Sequence, residues 1–283
     1  MTGGILRVNY TLMVAISVLS ADQVLAQSGG DATALPPAPA PTPICTDRPT
    51  HSNFACTVPD GGVQIEADAI NWSRRSLDGT TTDIVLFTNP TVKYGLSGST
   101  DVEVNWAPYA SVHTHRPAGS STTVDGTGDV ILRFKQRLTA ADAKLTFSMV
   151  PFVKAPTARA GIGNGQWEGG LIGATNYQLT PTLLLTLDPE LDVRADASAP
   201  SRRHLAMQQL INLGWSATPR LTLYGEVWTD QDYDPAGTTR QFSADFAIAW
   251  LLRPKLQLDA GTNLGLNRAT PGTQVYLGVS ALF

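Results

Sequence analysis

The strongest constraint on this chain is an alternation of apolar and polar residues with a period of two, which recurs from Val63 to the C-terminus. It is clearest in 255–267, where leucine and alanine hold most even positions and Lys, Gln, Asp and Asn most odd ones. Segments 144–154, 183–194 and 241–250 repeat the pattern. Successive side chains of a β-strand point to opposite faces, so each segment predicts a strand with one apolar and one polar face.

Turn-forming residues separate these strands by two alternating kinds of connection. Short turns are expected at 97–100, 139–142, 180–182, 218–220 and 253–255. Longer polar loops are expected at 74–81, 114–127, 156–165, 195–202, 231–240 and 268–272. Short turns at one end and long loops at the other are typical of outer-membrane barrels. We therefore predict an all-β fold, a transmembrane antiparallel β-barrel of about 12 strands over residues 63–283.

The same alternation would suit a soluble barrel with its apolar face inside, which is the alternative fold. Twelve strands, however, enclose more volume than a dry core readily fills. The polar face also carries full charges that a dry interior accepts only when they are paired. Aromatic residues lie on the apolar face near the short-turn end, as in a membrane-interface girdle; these are Tyr177, Trp215, Trp250 and Phe283, with Trp167 a candidate for the opposite girdle. The apolar face is therefore predicted to contact lipid.

Composition agrees with this orientation and excludes other classes of protein. Charged residues make up 16% of the 283 residues, against roughly 25% in soluble domains, and the mean hydropathy is close to zero. Such averages result when every second residue faces lipid and the others face a wet lumen. A charge-rich disordered chain is excluded, and a net charge of -4 gives no basis for binding nucleic acid.

The N-terminal region divides into three predicted segments before the barrel. Residues 1–26 have the features of a cleaved export signal, with Arg7 before a short apolar core and small or aliphatic residues at 24–26. Residues 27–44 form a Pro/Ala-rich periplasmic linker. Residues 45–62 are expected to be closed by a disulfide between Cys45 and Cys56. This segment could cover the periplasmic mouth or enter the lumen; a metal site on the two cysteines and His51 is the less favoured alternative.

The last strand and the loop arginines predict partners. Alternate apolar residues from 275 onward end at Phe283, which resembles the C-terminal signal by which barrel-assembly machinery recognises outer-membrane proteins. The expected surroundings are outer-membrane lipid and lipopolysaccharide, whose phosphates could pair with arginines at 74–75 and 202–203. Plain solvated arginines explain these pairs equally well.

Charged residues on the polar face are the candidate pore lining. A basic row (133, 135, 137) and an acidic row (188, 190, 192) each lie on one face of one strand. They could create a field across the pore that selects solutes, or a salt-bridge network that closes the lumen. A 12-stranded bore lies between filled 8-stranded and open 16-stranded barrels, which predicts a narrow or plugged passage. The predicted lining is Arg133, Lys135, Arg137, Glu168, Asp188, Glu190, Asp192, Glu226, Asp245 and Asp259.

Two motifs suggest metal ligands without making a complete site. Asp230, Asp232 and Asp234 have calcium-ligand spacing, but the glycine and glutamate that an EF-hand needs at its sixth and twelfth positions are absent. His113 and His115 share a strand face, but the sequence places no third ligand beside them. We predict a solvated loop and surface histidines, with no metal, cofactor or catalytic residue.

Several segments resemble the bacterial "transporter" family related to the MetA pathway of phenol degradation. These are 45–50 (CTDRPT), 150–157 (VPFVKAPT), 161–169 (GIGNGQWEG), 225–230 (GEVWTD) and 258–261 (LDAG). The resemblance covers about 44–283 and is most specific over 150–169. It implies a Gram-negative outer-membrane barrel that passes small solutes, aromatic compounds among them.

Three functions compete. The leading hypothesis is a channel or transporter that passes small, aromatic or hydrophobic solutes through a narrow polar lumen. A structural or partner-binding barrel without transport is the second. An outer-membrane lipase-like enzyme is the third; it needs a serine, a histidine and an orienting polar group, but the chain has four histidines and no recognisable serine motif. We therefore do not expect an enzyme.

Overall fold

The computed structural model describes residues 44–283, so the predicted signal peptide and nearly all of the predicted linker lie outside the described residues. Fifteen β-strands form one antiparallel sheet. The strands are β1 (Val63–Leu77), β2 (Thr80–Phe87), β3 (Pro90–Ser97), β4 (Thr100–Trp106), β5 (Tyr109–His115), β6 (Ser121–Gly126), β7 (Val130–Arg137), β8 (Leu145–Ala155), β9 (Glu168–Thr180), β10 (Leu183–Ala195), β11 (Arg203–Thr218), β12 (Leu221–Asp232), β13 (Thr239–Arg253), β14 (Leu256–Gly265) and β15 (Thr273–Leu282). One turn of 3-10 helix spans Pro117–Gly119. Within 44–283 no helix has the length and apolar character needed to cross a membrane.

The fifteen strands make twelve crossings, because three crossings are each built from two pieces. β2 with β3, β4 with β5, and β6 with β7 are the paired pieces. β1 shows the continuity, since its first half pairs with β3 and its second half with β2. The sheet closes where β1 pairs with β15, from Gln64 opposite Leu282 to Arg74 opposite Thr273. The predicted antiparallel barrel of about twelve strands is confirmed.

Connections alternate between the two ends of the barrel as predicted, with two local differences. The expected loop at 74–81 is a two-residue turn at Asp78 and Gly79, whose φ angles are 50° and 76°. Asp and Gly tolerate this left-handed backbone, which a tight hairpin between right-twisted strands requires. The expected loop at 114–127 contains β6. This strand pairs with β5 and lengthens their hairpin at the long-loop end of the barrel.

Burial is inverted relative to a soluble protein. The largest fully buried side chains include Lys93, Lys135 and Gln64. Large apolar side chains cover the outside instead, among them Ile211 at 53% exposure and Trp250 at 50%. Ionisable residues are rarely buried unless they are paired, so the interior must supply partners for these charges. The apolar outer face is the surface that contacts lipid in a transmembrane barrel.

Residues 44–62 form a segment inside the barrel, here called the plug. A disulfide joins Cys45 to Cys56 within it. Its residues contact inward-facing side chains on opposite parts of the wall, including Lys93 on β3, Asp188 on β10 and Asp259 on β14. The sequence left the placement of this segment open, and the structure places it in the lumen.

Candidate functional site

A lysine cluster holds the first part of the plug. Asp47 forms ion pairs with Lys93 at 2.5 Å and with Lys135 at 2.8 Å. Glu66 lies 2.6 Å from Lys93, and Glu103 lies 3.3 Å from Lys135. Burial raises the pKa of Asp47, but the two lysines outweigh burial and hold it well below its usual range. Asp47 therefore stays ionised, and it links the plug to β3 and β7.

Arg48 links the plug to the strands that close the barrel. Its guanidinium lies 2.6 Å from Asp68 on β1 and 2.8 Å from Asp259 on β14. The backbone of Gly278 on β15 comes so close that a Cβ there would lie 1.9 Å from Arg48 Nη2. A planar fork with five donors suits two carboxylates at once. The glycine provides the space that this fork occupies.

His51 contacts two further strands. Its Nδ1 lies 2.8 Å from Asp245 on β13 and 3.2 Å from Glu226 on β12. Its ring stacks on Trp228 with the centroids 5.3 Å apart. Burial lowers the pKa of His51, but hydrogen bonds to the two carboxylates raise it to about 10. Without another cation, the imidazole therefore supplies the positive charge between Glu226 and Asp245.

Inward-facing wall residues also satisfy the plug's backbone. Ala55 N–H donates to Asn176 at 2.6 Å, and its carbonyl accepts from Ser148 at 2.6 Å. Val58 N–H donates to Asp101 at 2.8 Å. Buried backbone groups need such partners when no strand ladder supplies them. The plug is thus fixed along its length by side chains of the wall.

The carboxyl groups around the plug outnumber the cations. Four cationic side chains take part in these contacts: Arg48, His51, Lys93 and Lys135. The carboxyl groups in the same contacts are Asp47, Glu66, Asp68, Asp101, Glu103, Asp188, Glu226, Asp245 and Asp259. Several carboxyl oxygens have no hydrogen-bond partner among the described residues, including Asp101 Oδ1 and Asp188 Oδ1. The lumen at this level therefore favours positive charge.

Cavities lie on both sides of the plug. One of about 300 Å³ reaches from His51 and Asn53 toward the long-loop end and includes Arg133, Phe152 and Trp228 in its lining. Another of about 640 Å³ lies toward the short-turn end, beside Cys45, Phe54 and Cys56. The two cavities share no lining residue. The plug therefore separates two spaces that would otherwise belong to one passage.

All ten predicted pore-lining residues lie on the lumen side of the wall. Lys135, Asp188, Glu226, Asp245 and Asp259 contact the plug. Arg133, Glu168, Glu190 and Asp192 line the cavity on the long-loop side. Arg137 lies at the short-turn end and donates to the backbone carbonyls of Gly98 and Thr139.

The basic and acidic rows do not pair directly with each other. Lys135 pairs with the plug and with Glu103, Asp192 pairs with Arg194 at 2.7 Å, and Arg133 has no ion-pair partner within residues 44–283.

Sequence reasoning missed the plug's own charges and some of their partners. Asp47, Arg48 and His51 lie in a segment without strand periodicity, so no pattern assigned them a face. Lys93 and Glu103 could have been found, since each lies between two apolar residues of the outer face and therefore points inward, and the two lie opposite each other on β3 and β4.

The residues of the two possible metal motifs contact other protein groups at the long-loop end. Asp230 pairs with Arg194 at 2.9 Å, and Asp232 lies 2.7 Å from His204. Asp234 accepts hydrogen bonds from the backbone N–H groups of residues 197 and 236, which lower its pKa. These carboxylates therefore do not converge on one point as calcium ligands do. His113 and His115 lie with their Nε2 atoms 2.8 Å apart on β5.

The fold is shared with outer-membrane proteins of known structure. An outer membrane channel from Pseudomonas putida F1 matches 81% of this chain and 98% of its own, with a TM-score of 0.62 and 13% identity. The NanC porin matches 77% of this chain and 98% of its own, with a TM-score of 0.50 and 10% identity. The β domain of the Bordetella autotransporter BrkA matches 79% of this chain and 100% of its own, with a TM-score of 0.52 and 14% identity. Channels and an autotransporter β domain share this architecture, so these likenesses show the fold alone.

Among curated proteins none matches the sequence. A family model covers almost the whole described region, residues 46–283. It includes the plug from residue 46 onward as well as the barrel, and it agrees with the family resemblance of segments such as 150–169. The chain therefore belongs to the family described as "Putative MetA-pathway of phenol degradation".

Proposed function

We propose that this protein is a channel in the outer membrane of a Gram-negative bacterium, that it passes small solutes through a narrow polar lumen, and that the plug controls the passage. One observation carries the proposal: two cavities inside a closed barrel are separated by a segment held by side-chain contacts. Ion pairs and hydrogen bonds can exchange for water when the plug shifts, whereas a packed apolar core could not. The likeness to known channels supports this reading.

We infer that the solutes are small aromatic or amphipathic compounds. The cavity on the long-loop side of the plug brings Phe152, Ile172, Leu210 and Trp228 together with Arg133 and several carboxylates. Its volume of about 300 Å³ lies at the small end of the range for ligand sites. A single ring can contact these four apolar side chains, and the charged and polar groups that make up most of the lining can bind one polar substituent on it. The family's description in terms of phenol degradation points to the same chemistry.

Planar-bilayer recordings of the purified protein test both conduction and the proposed class of solute. We expect discrete ion conductance, reduced in a concentration-dependent way by phenol or benzoate added on the long-loop side. Trp228→Ala should weaken this block, because the indole forms part of the cavity wall. Trp215→Ala is the matched control, since Trp215 lies on the outer face at 51% exposure.

Three outcomes would contradict all or part of the proposal. Silence in several salts and solutes, in protein shown to insert as a folded barrel, would favour a structural or partner-binding barrel. Absence of block in the wild type would remove aromatic compounds as the solute class and leave conduction intact, and equal block in Trp228→Ala would show that this cavity is not where they bind. Esterase turnover that disappears with His204→Ala would support the enzyme hypothesis instead.

The same proposal includes the expected partners of an outer-membrane barrel. Outer-membrane lipid would surround the apolar face, and assembly machinery would recognise β15 together with the Phe283 that follows it. Arg75, Arg202 and Arg203 lie exposed at the long-loop end, where lipopolysaccharide phosphates would be available. Arg74 is less available because it pairs with Asp83 through two hydrogen bonds of 2.7 and 2.9 Å.

A further inference from the structure

Three ligand-type atoms meet where the plug contacts β12 and β13. They are one nitrogen of His51 and one carboxylate oxygen each from Glu226 and Asp245, and all lie within 4.8 Å of one another. The nitrogen lies 2.8 Å from Asp245 and 3.2 Å from Glu226. In a tetrahedral zinc site with bonds of roughly 2.0–2.1 Å, neighbouring ligand atoms lie about 3.3 Å apart. If the nitrogen and the two carboxylate oxygens moved apart by a few tenths of an ångström, a zinc ion would therefore fit between them.

The charges at this point are unbalanced. Glu226 and Asp245 lie directly opposite each other on adjacent strands, and they are only 3% and 0% exposed. Like charges in directly opposed positions destabilise a sheet. Asp245 Oδ1 has no hydrogen-bond partner among the described residues, although its side chain is fully buried. A buried carboxylate with an unused oxygen, beside a second carboxylate, gives this point of the wall two negative charges that favour a cation beside them.

The groups that surround His51 Nε2 and Glu226 also suit a metal site. A metal on Nδ1 leaves the proton on Nε2, which then needs an acceptor. The side-chain amide of Asn263 lies 3.1 Å from Nε2, and its Oδ1 is buried without a partner among the described residues. Rotation of this amide would present Oδ1 to Nε2–H, in exchange for the hydrogen bond that Asn263 Nδ2 donates to Gln274 Oε1 at 3.0 Å. Asn212 donates to the second oxygen of Glu226 at 3.0 Å and orients that carboxylate.

We propose that His51, Glu226 and Asp245 bind a divalent transition-metal ion that fastens the plug to the barrel wall. Zn²⁺ is the natural probe, because one imidazole and two carboxylates match its preferred ligands. Ca²⁺ and Mg²⁺ prefer oxygen ligands throughout and would bind weakly. One ligand comes from the plug and two come from the wall, so the bound ion would oppose displacement of the plug.

Zinc titration of the purified full-length protein tests the site without reference to transport. All variants carry His113→Ala and His115→Ala, since that exposed pair could bind zinc by itself. After removal of metal with EDTA, zinc is titrated against a fluorescent chelator. We expect one high-affinity ion per chain. Asn263→Leu should weaken binding roughly 10–100-fold, as loss of an outer-shell partner does, and His51→Ala should weaken it further.

Two further variants keep the test decisive. Asp245→Asn keeps the size of the side chain and removes its charge, so it reports on the site even where His51→Ala impairs folding. His204→Ala is the control, because His204 also lies beside two carboxylates but at the long-loop end. The visible spectrum of bound Co²⁺ should change in His51→Ala and stay unchanged in His204→Ala.

Unchanged zinc affinity in both His51→Ala and Asp245→Asn would overturn the proposal, as would zinc that is lost only with His204→Ala. In planar bilayers, zinc should lower the conductance of the parent protein and leave that of His51→Ala unchanged. A protein that binds one zinc through His51 but never conducts would retain the metal site and refute only the channel.

Discussion

Lys135 shows how a charge is kept inside this barrel. Its ammonium is fully buried, 2.8 Å from Asp47 of the plug and 3.3 Å from Glu103 of the neighbouring strand. Removing a charge from water costs several kcal/mol, and attraction offsets this only when the partners stay in place. The lysine therefore stabilises the barrel only while the plug is seated. This dependence couples the ionic contacts of single residues to the position of the plug.

Replacing Lys135 by methionine should destabilise the protein strongly. Breaking a buried pair leaves uncompensated charge, here on Asp47 and Glu103, and typically costs about 3–5 kcal/mol. Urea unfolding of the refolded protein in detergent measures the difference. Arg268→Ala is the matched control, because the Arg268–Asp78 pair is 79% exposed on both sides and exposed pairs contribute about 0–1 kcal/mol. Equal effects of the two substitutions would mean that Lys135 is hydrated.

At this scale the sequence predicted which way a side chain points and not what it contacts. Period-two alternation placed Lys135, Asp188 and Asp245 on the inner face, where the structure has them. Their partners Asp47, Asn53 and His51 come from a distant segment with no periodicity of its own. The choice between a pore-lining field and a salt-bridge network could not be made from the strands, because the plug supplies the missing partners.

At the scale of elements, strands and plug follow different rules. Each strand satisfies its backbone through its neighbours, so a local pattern with a period of two is enough to predict it. The plug satisfies its backbone through wall side chains such as Asn176, Ser148 and Asp101. Those partners are more than 40 residues away, and no local pattern encodes them. The barrel could therefore be predicted from sequence, whereas the plug's position could not.

Inward-facing glycines allow the plug to approach the wall. A Cβ at Gly278 would lie 1.9 Å from the Arg48 guanidinium, and one at Gly95 would lie 2.0 Å from the carbonyl oxygen of Pro59. The overlap at Gly278 requires the Arg48 side chain to leave its place, and the overlap at Gly95 requires the plug backbone to move. The two glycines lie on β3 and β15, so the plug is accommodated at two separate points of the wall.

Gly278→Val should displace Arg48 and loosen the plug while the barrel still forms. We expect higher single-channel conductance than in the wild type, with the folded band retained in unheated gel samples. Gly225→Val on β12 is the control, because a Cβ there meets nothing within 4 Å. Unchanged conductance in Gly278→Val, with a folded barrel, would show that the plug does not limit the passage.

At the scale of the whole molecule, the barrel places apolar residues outside and ionic contacts inside. Ile211 and Val227 lie opposite each other on β11 and β12, with exposures of 53% and 54%. The adjacent pair Asn212 and Glu226 faces inward and is almost fully buried. This arrangement is stable when the outer surface contacts hydrocarbon. In water the same surface would be a large apolar patch that promotes association.

Ile211→Arg tests this orientation, because the expected cost depends on the solvent outside the barrel. Ile211 lies in the middle of β11, and arginine at the bilayer midplane costs roughly 2–4 kcal/mol in transmembrane barrels. On a water-exposed strand the same change would be close to neutral. Folding into lipid vesicles, followed by urea unfolding and gel mobility, gives the difference. Ala236→Arg in the exposed loop between β12 and β13 should have little effect in the same assay. A neutral Ile211→Arg would contradict a lipid-facing wall, and with it the channel that depends on that wall.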